Sequence, residues 1–325
     1  MSNELDLDQQ ARLTDWFAAN VAGFAGPLTI EKFATGQSNP TYLLSTPSAD
    51  YVLRRKPDGA LLKSAHAVDR EFRVMAALAA TDVPVPRMYA LCEDESVLGT
   101  VFFVMERVKG RTLLNPTLPD FTSNDRRALY LAQIDLLADL SRVDVEAVGL
   151  GDFGAPGDYV ARQIATWTRQ YRASETRTIE AMETLIRWLP ENVPADDGVR
   201  ALVHGDFRLD NMLVDPARPE ILALIDWELS TVGHPLIDVT YLTTMLRLPP
   251  HPTQGGLAGA DREALNIPGE AELLERFSER SGHKTPEDWS FYIAFHFFRF
   301  TAILQGIAKR VETGNASNEG AAQIA

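Results

Sequence analysis

The chain has 325 residues, 45% of them hydrophobic, enough for one large domain or two lobes with a core each. A formal charge of −14 argues against nucleic acid as a partner, because gripping a phosphate backbone takes a basic face. The single Cys92 excludes an internal disulfide and a cysteine-rich metal site and fits a reducing cytoplasm.

Residues 6–21 place Leu13, Trp16, Phe17 and Val21 at helical spacing, behind an acidic, polar start with no signal-peptide pattern. Segments 28–33, 41–45 and 51–55 read as strands, joined by the turn-rich stretches 34–40 and 47–50. Residues 64–80 return to the helical period, with Val68, Phe72, Met75 and Leu78 on one stripe, and Val83-Pro84-Val85-Pro86 stops the helix. Two further strands, 88–92 and 101–106, flank an acidic turn, and Arg107-Val108-Lys109-Gly110 reads as a hinge. Beyond Ser123 the pattern is mainly helical: 124–142, 160–173, 178–189, 235–246, 270–281 and 288–311, with a polar link at 190–198. The Pro- and Gly-rich stretch 249–269 is read either as a substrate lid or as a disordered connection, and 314–325 as a frayed tail. The longest apolar stretch, 291–307, is interrupted by His296 and Arg299, so a buried helix is expected and no membrane partner.

The most informative stretch is 202–228. It reads Leu-Val-His204-Gly205-Asp206, reaches Asn211 five residues after the Asp, and then runs an apolar strand, 221–225, into Asp226-Trp227-Glu228. Asp and Asn are common turn residues, and one Asp-x-x-x-x-Asn alone is weak. The combination with flanking apolar strands and a second strand-terminal Asp matches the catalytic loop and metal-binding Asp of protein kinases. Phosphoryl transfer asks for positioning and charge neutralisation. One oxygen must orient the nucleophile, and others must hold a hard cation that keeps water and phosphate in its remaining positions.

These residues, with Gly233-His234-Pro235-Leu236-Ile237-Asp238 after them, resemble the aminoglycoside phosphotransferase (choline-kinase-like) family, in particular the branch linked to acyl-CoA dehydrogenases. The resemblance covers about residues 28–310. It implies an α+β, bilobal, protein-kinase-like fold: a five-stranded antiparallel N-lobe at 1–107 and a mainly helical C-lobe at 108–325, with the nucleotide between them. It implies Asp206 as catalytic base, Asn211 and Asp226 as ligands to Mg2+, and ATP or GTP as phosphoryl donor. Gly36, Gln37, Ser38 and Asn39 become the nucleotide loop, and Glu106 and Val108 offer the hinge carbonyl and N–H to the purine. Arg54 stands where the kinase third-strand lysine stands, but Arg55 and Lys56 are neighbours, and alternation puts Arg54 and Lys56 on one face and Arg55 on the other. Glu71 is the expected ion-pair partner of Arg54; a solvent-facing Glu is the other reading. Asp238 is expected to cap its helix or to support the catalytic loop.

The acceptor implied is a hydroxyl of a small molecule. An aminoglycoside would suit an acidic cleft, choline or an amino alcohol would want an aromatic cage, and a hydroxyacyl metabolite fits the branch. A non-catalytic nucleotide-binding regulator is the alternative of another class, and the presence of Asp206, Asn211 and Asp226 together argues against it.

Overall fold

A computed structural model describes residues 5–33, 39–57, 67–155, 157–251 and 255–313. In chain order the elements are α1 (Leu7–Asn20), β1 (Thr29–Lys32), β2 (Thr41–Ser45), β3 (Asp50–Arg55), α2 (Val68–Leu78), β4 (Met88–Cys92), α3 (Glu95–Leu98) and β5 (Phe102–Glu106). There follow α4 (Ser123–Ser141), α5 (Tyr159–Ser174), α6 (Glu180–Glu191), β6 (Ala201–Val203), β7 (Met212–Val214), β8 (Ile221–Leu224), β9 (Thr231–Gly233), α7 (Leu236–Thr244), α8 (Glu270–Ser281) and α9 (Ser290–Glu312).

The chain divides into two compact units. The first comprises Met1–Leu113, Val148–Leu150 and Leu209–Ser230; the second comprises Leu114–Ala147, Gly151–Arg208 and Thr231–Ala325. Relative to a simple division after residue 107, the hinge segment and the whole β7–β8 hairpin join the N-terminal unit. Asp206 and Asn211, five residues apart, therefore belong to different units.

In the first unit an antiparallel five-stranded sheet runs in the order β1-β2-β3-β5-β4. α1 opens with a capping box, Asp6 and Gln9 each satisfying the other's backbone N–H, and buries Leu13 and Phe17. Those two residues enter one core cluster with Tyr42, Leu44, Tyr51, Leu53, Phe102 and Val104 of β2, β3 and β5. α2 buries Val68, Val74, Met75 and Leu78, and its Phe72 ring lies 6.2 Å from that of Phe103 on β5. The acidic turn expected between β4 and β5 is in fact the one-turn helix α3. Asp94 accepts the Ser96 N–H at its start, and Gly99 closes it in the left-handed conformation at φ 80°. β7 and β8 form a separate hairpin tied to the segment after β5 by two backbone bonds between Arg111 and Val214, of 2.8 and 2.9 Å.

In the second unit α9 packs against α5, α6 and α7, and α4 against α8. α9 is long and apolar enough to cross a membrane by length and composition, but Phe291, Tyr292, Phe295, His296, Phe298, Arg299, Ala302 and Gln305 along it are buried. α6 runs two residues past the expected stop and takes Pro190 into its last turn. Buried Arg126 on α4 gathers the irregular segments around it, donating to the carbonyls of Thr117, Leu118, Phe121 and Leu265. Within 255–269, Leu257 is buried and its N–H bonds Met245 O at 2.9 Å, so this part of the expected lid or disordered connection is packed. Residues 252–254 and the tail at 314–325 lie outside the described residues. β6 pairs with β9 and not with β7 or β8, so the strand that leads to Asp206 and the strand that leads to Asp226 have different partners.

Gly110 shows how closely the β7–β8 hairpin is fitted. A Cβ there would stand 2.8 Å from Leu213 Cβ and 3.0 Å from its backbone carbon. Gly110→Ala should destabilise the protein by about 1–3 kcal/mol, the usual cost of overpacking, read as a lowered Tm in a thermal melt.

Candidate active site

The first unit gathers a charged cluster around Arg54. Strand β3 delivers its guanidinium to the inward face of α2, where Glu71 sits in the first turn. Arg54 Nε lies 3.0 Å from Glu71 Oε2, and Nη2 lies 2.5 Å from Asp226 Oδ1 and 3.8 Å from Glu228 Oε2. Side-chain exposure is 11% for Arg54 and 1% for Glu71. Of the three neighbouring basic residues, Arg54 reaches Glu71 and Asp226, whereas Arg55 is buried near the Leu98 carbonyl and Lys56 pairs with Asp69 at 3.1 Å. Strand alternation turns Arg55 away from the face that carries Arg54.

Asp226 follows β8 in the left-handed region, at φ 67° and ψ 57°. A non-glycine residue there is uncommon and is held by its surroundings. The 3-10 turn Trp227–Leu229 follows, with Trp227 fully buried and its Nε1 bonded to Leu224 O at 3.0 Å. Asn211 ends the 3-10 turn Leu209–Asn211, and its carbonyl accepts the Ile225 N–H at 2.9 Å. That bond sets Asn211 beside the strand that presents Asp226. Asn39, buried at the entry to β2, donates its side-chain amide to Glu228 Oε2 at 3.1 Å. Three carboxylates therefore surround one guanidinium, an excess of negative charge. Burial drives the Glu71 carboxyl up to about 7, Arg54 opposing the rise and Asp226 and Glu228 adding to it. For Arg54, burial works against the charge, but Glu71, Asp226 and Glu228 outweigh it and raise its pKa. Glu71 also accepts the backbone N–H of Trp227.

The second unit holds Asp206. Gly205 before it adopts φ 83°, a conformation that suits glycine alone without strain. Asp238, buried at the start of α7, accepts the N–H of His204 at 2.6 Å and of Gly205 at 3.0 Å. Of its two expected roles it takes the loop support; the residue at the cap position is Pro235. Burial raises the Asp238 pKa, and His204 and the two N–H bonds pull it back. Arg299 on α9 donates to Gly205 O at 2.6 Å. The Asp206 N–H bonds His204 Nδ1 at 3.2 Å, and its Oδ1 accepts the Tyr241 hydroxyl at 2.8 Å.

Of the remaining sequence candidates, Gly36, Gln37 and Ser38 lie outside the described residues. Glu106 closes β5 with an exposed side chain, its N–H bonded to Arg87 O at 2.8 Å, and Val108 follows half-buried. Sequence reasoning singled out no role for Glu228, Tyr241 or Arg299. Each left a trace: Glu228 stands two residues after Asp226, Tyr241 one helical turn after Asp238, and Arg299 interrupts an otherwise apolar run.

Residues 29–286 match the model of the family described as "Phosphotransferase enzyme family". A crystal structure from Ralstonia eutropha, provisionally described as an aminoglycoside phosphotransferase, is 47% identical, with a TM-score of 0.89 over 97% of this chain and 93% of that one. The fold alone is shared with a thermostable mutant of aminoglycoside phosphotransferase APH(4)-Ia in ternary complex with AMP-PNP and hygromycin B, at 17% identity, TM-score 0.62 and coverage of 98% and 95%. This is the kinase-like phosphotransferase fold, and the chain belongs to the phosphotransferase enzyme family. Among curated proteins it is 46% identical over 299 residues to mouse (Mus musculus) acyl-CoA dehydrogenase family member 10, covering 92% of this chain but only 28% of that protein.

The Glu71 carboxyl gives a pH test. Its native pKa of about 7 stands above the unfolded value of 4.5, so between these values the native state holds a proton that the unfolded chain has released. Stability from this group is present at low pH and lost as pH rises through about 7. Glu71→Gln cannot titrate. The unfolding free energy of the wild type minus that of Glu71→Gln should therefore fall between about pH 5 and pH 8, measured by urea titration; a flat difference would place the Glu71 pKa at its ordinary value.

Proposed function

We propose that this phosphotransferase moves the terminal phosphate of ATP or GTP to a hydroxyl of a small molecule, with a hydroxyacyl metabolite as the preferred acceptor class. The observation that carries the reading is the placement of Arg54 between Glu71 and Asp226, at 3.0 and 2.5 Å, in a chain of this family. The AMP-PNP complex of the APH(4)-Ia mutant supports a nucleoside triphosphate as donor. The dehydrogenase-family name of the mouse relative supports the hydroxyacyl class, although the chain spans 28% of that relative. Cys92, buried and without a disulfide, supports a cytoplasmic setting.

Each residue has a role in this reading. Asp206 orients the acceptor hydroxyl and takes its proton. Arg54, steadied by Glu71, holds the nucleotide phosphates with a charge that does not titrate. Gly36, Gln37, Ser38 and Asn39 cover the phosphates, and the Glu106 carbonyl and Val108 N–H meet the purine. Asn211 and Asp226 supply the oxygen donors a hard divalent ion prefers, and the excess of carboxylate around Arg54 fits such an ion. When bound, Mg2+ neutralises charge on the transferring phosphates.

A product mass-spectrometry screen with ATP and GTP against aminoglycosides, amino alcohols and hydroxyacyl-CoA thioesters tests the acceptor. Phosphorylated thioester is the expected product. Nucleotide binding without turnover on any acceptor would favour a regulator instead. Asp206→Asn should keep nucleotide affinity and lower turnover by about two to four orders of magnitude, the range for a positioned base. Asp226→Ala should weaken magnesium-dependent nucleotide binding more than Asn211→Ala, because it removes a full charge; calorimetric titration with and without magnesium reads the difference.

A further inference from the structure

The backbone of His204 and Gly205 is held by Asp238 and Arg299, but the side chain that does the proposed work is Asp206, and its fixation is a separate matter. The Tyr241 hydroxyl donates to Asp206 Oδ1 at 2.8 Å. Tyr241 and Asp238 lie three residues apart on α7, so one helix face serves both the loop backbone and the carboxylate. The Tyr241 ring is itself held, packing edge-on against the His296 ring with centroids 4.7 Å apart. His296 is buried and its pKa is pushed down to about 3, so at neutral pH it is an uncharged aromatic wall. His296 and Arg299 are likewise three residues apart, on α9. Burial raises the Tyr241 pKa, which keeps its hydroxyl protonated and a donor across the working pH range. A cation, Arg208, has its Nε at the longer distance of 3.9 Å from Oδ1.

We propose that Tyr241 is a positioning residue that fixes the rotamer of the Asp206 carboxylate by its hydrogen bond to Oδ1, so that the acceptor hydroxyl meets a preset base. The inference rests on Asp206 being the base of the proposed reaction. A carboxylate on two rotatable bonds sweeps several orientations, and a proton-accepting group works only in those within hydrogen-bond reach of the attacking oxygen. The hydrogen bond to a charged acceptor restricts that sweep, and a residue acting this way affects turnover and not nucleotide binding.

Tyr241→Phe removes the hydroxyl and keeps the ring against His296. Steady-state release of ADP from magnesium-ATP, with water as acceptor, would be measured for wild type, Tyr241→Phe, Asp206→Asn and the double variant, alongside Tm. We expect Tyr241→Phe to lower kcat about tenfold with KM for ATP and Tm near wild type, and the double variant to be no worse than Asp206→Asn, since coupled residues do not add. A Tyr241→Phe kcat within twofold of wild type while Asp206→Asn is crippled would overturn the positioning role and leave the proposed function standing. So would a joint loss of kcat, ATP affinity and Tm, which marks a packing role, or additive losses in the double variant. An Asp206→Asn enzyme of unchanged turnover would overturn the reading of Asp206 itself, and the inference with it.

Discussion

A guanidinium buried among three carboxylates is the constraint around which the first unit is arranged. Arg54 cannot sit at 11% exposure beside Glu71 at 1% unless both are paired, because an isolated charge removed from water costs far more than any single contact returns. The pairing dictates where other elements go. β3 must run so that position 54 faces α2. α2 must turn Glu71 inward at the expense of an apolar contact. β8 must end where Asp226 can meet Nη2. The left-handed backbone at Asp226 is consistent with that demand: the chain reverses there and the side chain still reaches the cluster.

The second unit solves a different problem, that of holding a loop by its backbone. His204 and Gly205 both aim N–H groups at one buried carboxylate, and Arg299 occupies the Gly205 carbonyl. Backbone groups so satisfied need neither water nor a regular strand, which lets the chain leave β6 at φ 83° without orphaned donors. Burial raises the Asp238 pKa, and the two N–H bonds and His204 counter that rise only in part.

Much of this was readable from residues alone. The strands 41–45 and 88–92 and the helix 270–281 have the bounds expected from alternation, helical period and flanking breakers. The resemblance suggested the pairing of Arg54 with Glu71, while local sequence left a solvent-facing Glu71 open; the structure buries it against Arg54. What local pattern could not give was pairing at a distance. Nothing near 201–203 says that its partner is 231–233, since two three-residue apolar strands carry no register of their own. The acidic turn hid a helix because four residues are too few to show a period, and only the Asp94 and Gly99 caps mark it. Tyr241 was invisible for a related reason: among the apolar residues of α7 it reads as core, and its hydroxyl matters only once α7 is known to pass beneath Asp206.

The same contrast separates stability from function within the charged cluster. A buried ion pair is weak evidence for stability, since well-packed apolar residues of equal volume often do as well or better. Glu71 bears this out, for burial, with Asp226 and Glu228 adding to it, lifts its pKa to about 7 against the pull of Arg54. A cluster that leaves a carboxyl this close to protonation at neutral pH is a poor device for holding a fold together. The cluster holds more carboxylate than guanidinium, and under the proposed function a polyanion and a cation would enter together and complete the pairing. Under the proposed function, the Arg54–Glu71 pair is the element whose geometry the nucleotide phosphates would meet.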